Sequence, residues 1–270
     1  MTSATAGPVL VVVPTYDEID NIAGVVARVH EAVPTAHVLV VDDASPDGTG
    51  ALADLLARDR PYLHVLHRRG KEGLGAAYRE GFRWGLDRGY EVVVEMDADG
   101  SHRPEQLPLL LERLGTADVV LGSRWVPGGS VVDWPRRREV LSRGGNLYVR
   151  VALGLPLRDA TGGYRAYRRE VLEAVDLDRV GSQGYCFQVD MARRAVRAGF
   201  HVAEVPITFV ERVAGTSKMS GAIVREALVQ VTLWGLRDLL GGERAGRGAD
   251  AAPTRCADAA VLVEAGLRTP

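Results

Sequence analysis

Cysteine is nearly absent: Cys186 and Cys256 are the only two in 270 residues, 70 positions apart and outside any CxxC. That excludes a disulfide framework and a cysteine-based zinc site, and a reducing cytosol fits. Neither sign of charge dominates, with 33 Lys+Arg against 35 Asp+Glu and a net charge of −2. A global nucleic-acid footprint is therefore not expected. No apolar run approaches the ~18–20 residues that a spanning helix needs. Met1–Pro8 lacks a basic stretch and leads into only five apolar residues, Val9–Val13, so no secretory signal is expected. There is no internal repeat. Gly70-Lys71-Glu72-Gly73-Leu74-Gly75 is neither G-x-G-x-x-G nor a P-loop, which removes dehydrogenase and P-loop phosphotransferase readings.

What is present is alternation. Val9–Val13, His37–Val41, Leu63–His67, Glu91–Asp97 and Asp118–Gly122 are short runs rich in Val and Leu. Continuous runs of that length suit strands buried on both faces. Ile19–Val33, Thr49–Arg58, Leu74–Arg88 and Pro104–Leu114 lie between them with helical periodicity. The alternation predicts an α/β fold, a mostly parallel sheet covered by helices. The second half is less regular. Trp125–Pro135 reads as a loop, Arg136 to about Leu153 and about Phe187 to Ala198 as helices, His201–Val205 and Ile207–Glu211 as short strands. Arg212–Gly221 reads as a polar loop and Ala222–Leu240 as an amphipathic C-terminal helix. From Gly241 the last thirty residues include eight Ala and five Gly with little periodicity, the composition of a disordered tail. The expected division is a flexible N-terminus over 1–8, one catalytic domain over 9–240 and that tail over 241–270.

Ligands of such sheets bind at the carboxyl ends of the strands. There the sequence concentrates acids: Asp42 and Asp43 after the second strand, Asp97 and Asp99 after the fourth. Helix capping accounts for Asp47 or Gly48 before Thr49 but not for four acids converging on one rim. Like charges gathered there call for a cation or a donor-rich ligand. Asp97-x-Asp99 offers hard oxygen ligands of the kind Mg²⁺ or Mn²⁺ takes, and such an ion would neutralise a diphosphate leaving group. His102 reads as a loop or cap residue. A calcium loop is disfavoured because its sixth position would be His102 rather than Gly.

Arginine supplies the opposite charge. From Arg124 to Arg169 there are ten Arg and no Lys against Asp133, Glu139 and Asp159, a net +7 within a chain of −2. Arg is the residue of choice for bidentate phosphate recognition. Some of these positions, Arg168 and Arg169 among them, read as ordinary solvated helix surface. Lys71 and Lys218 are the only lysines, and both fall in Gly/Ser-bearing loops.

Together these residues spell a family. PTYDE, VVDDASPDGTG and MDADGSH resemble the GT-A glycosyltransferases of family 2. GKEGLGAAYREGF, GSRWVPGGSVVDWPRRREVLSRGGN, DATGGYRAYRRE, GYCFQVDM and FVERVAGTSKM resemble, more narrowly, dolichol- and polyprenol-phosphate mannosyltransferases, over about Val9 to Leu240. The resemblance implies a Rossmann-like GT-A domain and inverting transfer of mannose from GDP-mannose to a polyprenyl or dolichyl phosphate. It implies nucleotide contacts from Pro14, Tyr16, Glu18, Asp43 and, in GYCFQVDM, Gln188. Asp97, Ala98 and Asp99 would hold the metal and diphosphate-sugar, with Met96 beside them. Ser101 stands where some members have Gln as a further metal contact. Arg124 would meet the sugar-nucleotide or the acceptor phosphate, Arg138 and Ser142 the acceptor phosphate, and Arg212 and Lys218 would belong to a mobile loop over the donor. Asp17 stands where Asn is usual, and Asp190 where Glu is common.

The resemblance also implies a peripheral position on the cytoplasmic face of a membrane, with or without a membrane partner protein. An anionic phosphate acceptor needs no general base. The same acceptor chemistry with another sugar nucleotide, such as UDP-glucose, is the alternative. A haloacid-dehalogenase-like phosphatase would want DxD on the first strand and leaves PTYDE unexplained. A non-catalytic sugar-nucleotide sensor would not need Asp97, Asp99, Arg124 and Arg212 together.

Overall fold

The Val- and Leu-rich runs pair edge to edge at the centre of the molecule. The computed structural model describes residues 7–180, 185–211 and 221–240. Strands β1 (Val9–Thr15), β2 (His37–Asp42), β3 (Leu63–His67), β4 (Val92–Glu95) and β5 (Val119–Ser123) alternate with helices α1 (Ile22–Ala32), α2 (Thr49–Ala57), α3 (Leu74–Asp87) and α4 (Leu107–Arg113). There follow β6 (Ser130–Val132), α5 (Arg136–Leu153), β7 (Arg165–Arg168), α6 (Arg169–Ala174), α7 (Tyr185–Arg197), β8 (Val202–Pro206), β9 (Thr208–Val210) and α8 (Gly221–Leu240). Seven strands form one sheet in the order β3-β2-β1-β4-β7-β5-β8, and β6 pairs with β9 in a second, two-stranded sheet. Every neighbour in the main sheet is parallel except β7, which runs antiparallel between β4 and β5. The expected mostly parallel sheet is present.

Alternate residues of each strand face opposite sides, so the sheet has a core on both faces. Leu10, Val12, Leu39, Val41 and Val93 pack against Tyr78 and Phe82 of α3 and Phe187 and Met191 of α7. Val9, Val11, Val13, Val38, Val40 and Val94 pack against Ile22, Val25, Val26 and Val29 of α1 and Leu107 and Leu110 of α4. Each such side chain contributes about 1.5–3 kcal/mol relative to an exposed one. The glycines of α3 let it approach β1: a Cβ on Gly81 would fall 2.4 Å from Val12 Cγ1.

The first half matches expectation closely. Asp97, expected at the end of the fourth strand, lies beyond it because β4 closes at Glu95. Pro104–Gln106 forms a 3₁₀ turn before α4 rather than the first turn of one long helix. β6 falls inside the segment expected as a loop, and β7 has no counterpart in the sequence reading.

α8 packs on the domain through one face. Val231 and Trp234 are buried, and a Cβ on Gly235 would meet the Ala152 carbonyl oxygen of α5 at 2.6 Å. Asp238 accepts from Arg193 Nη2 at 2.5 Å and Nε at 3.2 Å, and it pairs with Arg197 at 2.5 Å. Leu228, Val229, Leu233, Leu236 and Leu239 remain exposed, as do Val140, Leu141, Leu147 and Val151 of neighbouring α5. Among the described residues, no helix is long and apolar enough to cross a membrane. Residues 1–6 and the tail expected from 241 lie outside the described residues.

Candidate active site

The loop after β4 is anchored from both sides of the sheet. Met96 and Ala98 are buried in the α1/α4-side core, while Asp97 between them reaches Tyr78 of the opposite core. Tyr78 Oη donates to Asp97 Oδ1 at 3.1 Å, and Ser101 N donates to Asp99 Oδ1 at 3.0 Å. The Asp97 amide donates to His102 Nδ1 at 3.1 Å, a network that assigns the remaining ring proton to Nε2. His102 is buried and stacks on Tyr164 with ring centroids 5.1 Å apart. Burial pushes its imidazole below the usual histidine range, against the pull of Asp97 and Asp99. It is a neutral brace for the loop, as a loop residue should be. Ser101 is also buried, and its carbonyl accepts from Val210 N at 3.1 Å.

A Cβ built on Gly163 would lie 3.5 Å from His102 Cε1, 3.6 Å from Gln188 Nε2 and 3.7 Å from Asp97 Oδ2. Gln188 of α7 therefore reaches the same point as the acid loop. Among the described residues, no group of three or more His, Cys, Asp or Glu side chains is placed to hold a metal ion unaided. Two carboxylates at one strand end nevertheless suit Mg²⁺ or Mn²⁺, which take most of their shell from water and substrate phosphates.

The ends of β1 and β2 form the next wall. Asp42 is not a free member of an acid rim: its carboxylate accepts from Thr15 Oγ1 at 3.0 Å, Ser45 Oγ at 2.6 Å and Ser45 N at 3.2 Å. Asp47 lies just before Gly48, the N-cap of α2, and accepts from Thr49 N at 3.0 Å and Thr49 Oγ1 at 2.6 Å. Asp43 is different, since it is buried against Arg68, which also pairs with Glu72 at 2.8 Å and Glu80 at 3.1 Å. Asp17 has φ +59°, a conformation that Asn and Asp tolerate better than most residues, so Asp can stand where Asn is usual. Pro14 and Tyr16 are half-buried beside it, and Lys71 Nζ sits 3.6 Å from the centroid of the Tyr16 ring. Glu18 accepts from Asn21 Nδ2 at 2.8 Å.

A third group opens between α5, α7 and α8. A cleft of about 530 Å³ has Arg124, Trp134, Arg138, Ser142 and Thr161 at its polar part and Val149, Val189, Leu228 and Val231 along its apolar part. Arg124 follows β5, where its Nε and Nη2 donate to the fully buried Asp159 at 2.7 and 2.6 Å. Burial alone would raise the Asp159 carboxyl, but Arg124 outweighs it and holds the carboxyl below its usual range. Arg138 stacks on the Trp134 ring at 4.0 Å and pairs with Glu211. Trp134 in turn stands edge-on to Phe209 of β9, so the two-stranded sheet forms one side of this arginine cluster. Thr161 and Val189 line the cleft within two residues of Gly163 and Gln188, so the cleft and the acid loop adjoin.

The structure thus brings Asp97 and Gln188 together about Gly163, with Asp99 in the same loop as Asp97, and Arg124, Arg138 and Ser142 together in the adjoining cleft. Pro14, Tyr16, Glu18 and Asp43 line the ends of β1 and β2. Arg212 and Lys218 lie outside the described residues. Asp190 is buried and receives Arg194 Nε at 3.0 Å, a contact within α7. Sequence reasoning did not single out Arg68, Tyr78 or Asp159. Only Asp159 carried a signal, as the one acid inside DATGG within the arginine-rich segment.

Residues 10–176 match the family described as glycosyl transferase family 2. The chain is 60% identical to the undecaprenyl-phosphate mannosyltransferase of Micrococcus luteus, over 88% of this chain and 98% of that protein. It is 59% identical to the polyprenol monophosphomannose synthase of Mycolicibacterium smegmatis, over 86% of this chain and 88% of that protein. Among solved structures, glucosyl-3-phosphoglycerate synthase from Mycobacterium tuberculosis with Mn²⁺, UDP and glucosyl-3-phosphoglycerate gives a TM-score of 0.62 at 20% identity. It covers 87% of this chain and 80% of that one. At that identity the likeness is one of fold.

Proposed function

This chain belongs to glycosyl transferase family 2, and on that premise we propose that it transfers mannose from GDP-mannose to the phosphate of a polyprenyl monophosphate, inverting the anomeric carbon. The observation that carries this reading is the cleft: arginines under an indole at one part, aliphatic side chains along the other, opening beside the acid loop of β4. An amphiphile with an anionic head and a hydrocarbon tail matches that division, and the names of the two bacterial relatives agree with it.

The division of labour follows from charge. Pro14, Tyr16, Glu18, Asp43 and Gln188 are assigned to the nucleotide. Asp97 and Asp99, with Met96, Ala98 and Ser101 shaping their loop, would hold Mg²⁺ or Mn²⁺ against the diphosphate. A bound divalent ion there supplies charge neutralisation for the departing GDP. Arg124, Arg138 and Ser142 are assigned to the acceptor phosphate, and Arg212 and Lys218 to closure over the donor. The acceptor oxygen is a phosphate oxygen, anionic at neutral pH, so no side chain need remove a proton before it attacks. Its bond to the anomeric carbon forms as the bond from that carbon to the diphosphate oxygen breaks. The chain's own work is to hold two anions side by side with charges that cancel their repulsion.

The exposed apolar faces of α5 and α8, with Arg136, Arg137 and Arg150 exposed on α5, fit a peripheral seat on the cytoplasmic face of an anionic membrane. A lipid-bound acceptor would be met there.

Calorimetric titration tests the donor half. Wild-type chain with Mn²⁺ should bind GDP-mannose more tightly than UDP-glucose, and Asp99→Ala should lose most of that binding while keeping its thermal midpoint. Preference for UDP-glucose, or unaltered donor affinity in Asp99→Ala, would overturn the assignment.

A further inference from the structure

Helix α5 carries two adjacent glycines, Gly144 and Gly145, in the middle of its eighteen residues. A helix interior is where glycine is least favoured after proline, and alanine would stabilise both positions. Packing gives no reason for them: apart from the chain neighbours and the helix's own backbone, no described atom lies within 4 Å of a Cβ built on either. Gly81, Gly85 and Gly235 are the contrast, since a Cβ there would collide with Val12, Leu10 and the Ala152 carbonyl. The open space over Gly144 and Gly145 is the cleft, which both residues line. Helical spacing of three and four residues puts Gly145 on one row with Arg138, Ser142 and Val149. It stands midway between the arginine part of the cleft and the apolar part.

We infer that Gly145, with Gly144 beside it, is a specificity-determining residue for the acceptor. It keeps α5 bare where the prenyl chain crosses the helix backbone, between a phosphate held near Arg138 and a tail lying among Val149, Val189 and Val231. The inference rests on the acceptor reading proposed above and adds what sets the acceptor's permitted width. A side chain at Gly145 would fill the passage that the first isoprene units use, without touching the donor site at the β4 loop. The opposite polarity of the two parts of the cleft, cationic and aliphatic, gives the chain its direction.

The test is a direct binding titration of farnesyl phosphate into the full chain, read by tryptophan fluorescence, since Trp134 lines the cleft. Gly145→Ala and Gly145→Leu are compared with wild type and with Gly24→Ala. Gly24 is an exposed glycine of α1, likewise without a described atom within 4 Å of a built Cβ. Gly145→Leu should raise the Kd for farnesyl phosphate on the order of tenfold, the scale of overfilling a packed site. Gly145→Ala should weaken binding less. Both alanine variants should melt at or above the wild-type midpoint, by about 2–4 °C, because each relieves a helical glycine.

Gly24→Ala should leave the Kd alone, and no variant should alter GDP-mannose affinity. Weaker acceptor binding in a chain that has become more stable is a pattern that a structural role for the glycine would not give. Unchanged farnesyl phosphate affinity in both Gly145 variants would overturn the inference. So would a parallel loss of GDP-mannose binding. A wild-type chain that does not bind farnesyl phosphate would remove the acceptor reading and this inference with it. Wild-type binding without mannose transfer would fault the donor reading alone, and the Kd comparison would still decide the glycine's role.

Discussion

Glu95 stands two positions before Asp97 and is fully buried, with Tyr167 Oη donating to its Oε1 at 3.0 Å. Burial raises its carboxyl to about 7, even though Arg165 lies opposite it on β7 and pulls the other way. Arg165 spends its own donors on carbonyls, at 2.7 Å to Gly162, 2.6 Å to Gln188 and 2.7 Å to Ala160. The folded chain therefore holds the Glu95 proton more tightly than the unfolded chain does. Stability from this group is fully present below the ordinary value near 4.5 and is lost as pH rises to about 7. Glu95→Gln keeps an acceptor for Tyr167 and removes the titration. Between pH 5 and pH 8 in EDTA, urea unfolding should show the variant gaining about 2–3 kcal/mol on wild type. A difference that does not change with pH would contradict the assignment.

Residues differ in how plainly the sequence exposed them. Asp97 and Asp99 were visible because two acids after a run of valines have no packing purpose. Asp42 looked equivalent and is not, because Thr15 and Ser45 consume its carboxylate, contacts that depend on the pairing of β1 with β2 and on the turn after β2. Glu95 was hidden inside an apolar run. Asp159 gains its meaning only through Arg124, 35 residues away in sequence.

Elements follow the same division. Strands buried on both faces and helices with a regular apolar stripe were legible, which covers the chain from β1 to β5. β7 was not: RAYR is short and half charged, and it becomes a strand by pairing antiparallel between β4 and β5. α5 runs along both parts of the cleft, carrying Arg138 and Ser142 in its first turns and Val149 further on. Arg138→Ala should raise the acceptor KM by roughly 10–100-fold, the loss expected for a hydrogen bond to a charged group, with the donor KM unmoved. The reverse split in steady-state kinetics would exchange the roles assigned to cleft and loop. α8 is held at its C-terminal end by Asp238 between Arg193 and Arg197. Asp238→Ala should cost about 1–3 kcal/mol and speed amide exchange in α8 before the sheet is affected. Uniform exchange across the chain would mean that α8 is no separate unit.

At the scale of the whole molecule, a net charge of −2 conceals a separation: acids at the end of β4, arginines around the adjoining cleft. That separation is what the proposed transfer between two anions requires, and the motif order makes it legible in the sequence alone. Only the structure places the exposed apolar residues of α5 and α8 on adjacent helices, because their contact is a tertiary one. Transfer of mannose to a lipid phosphate is open to direct measurement. Purified chain is incubated with radiolabelled GDP-mannose, a polyprenyl phosphate and Mg²⁺, and the label is partitioned between water and organic solvent. The expected result is label in the organic phase that requires the polyprenyl phosphate and disappears in Asp99→Ala. Label that stays in water, or that reaches the organic phase from UDP-glucose and not from GDP-mannose, would contradict the account.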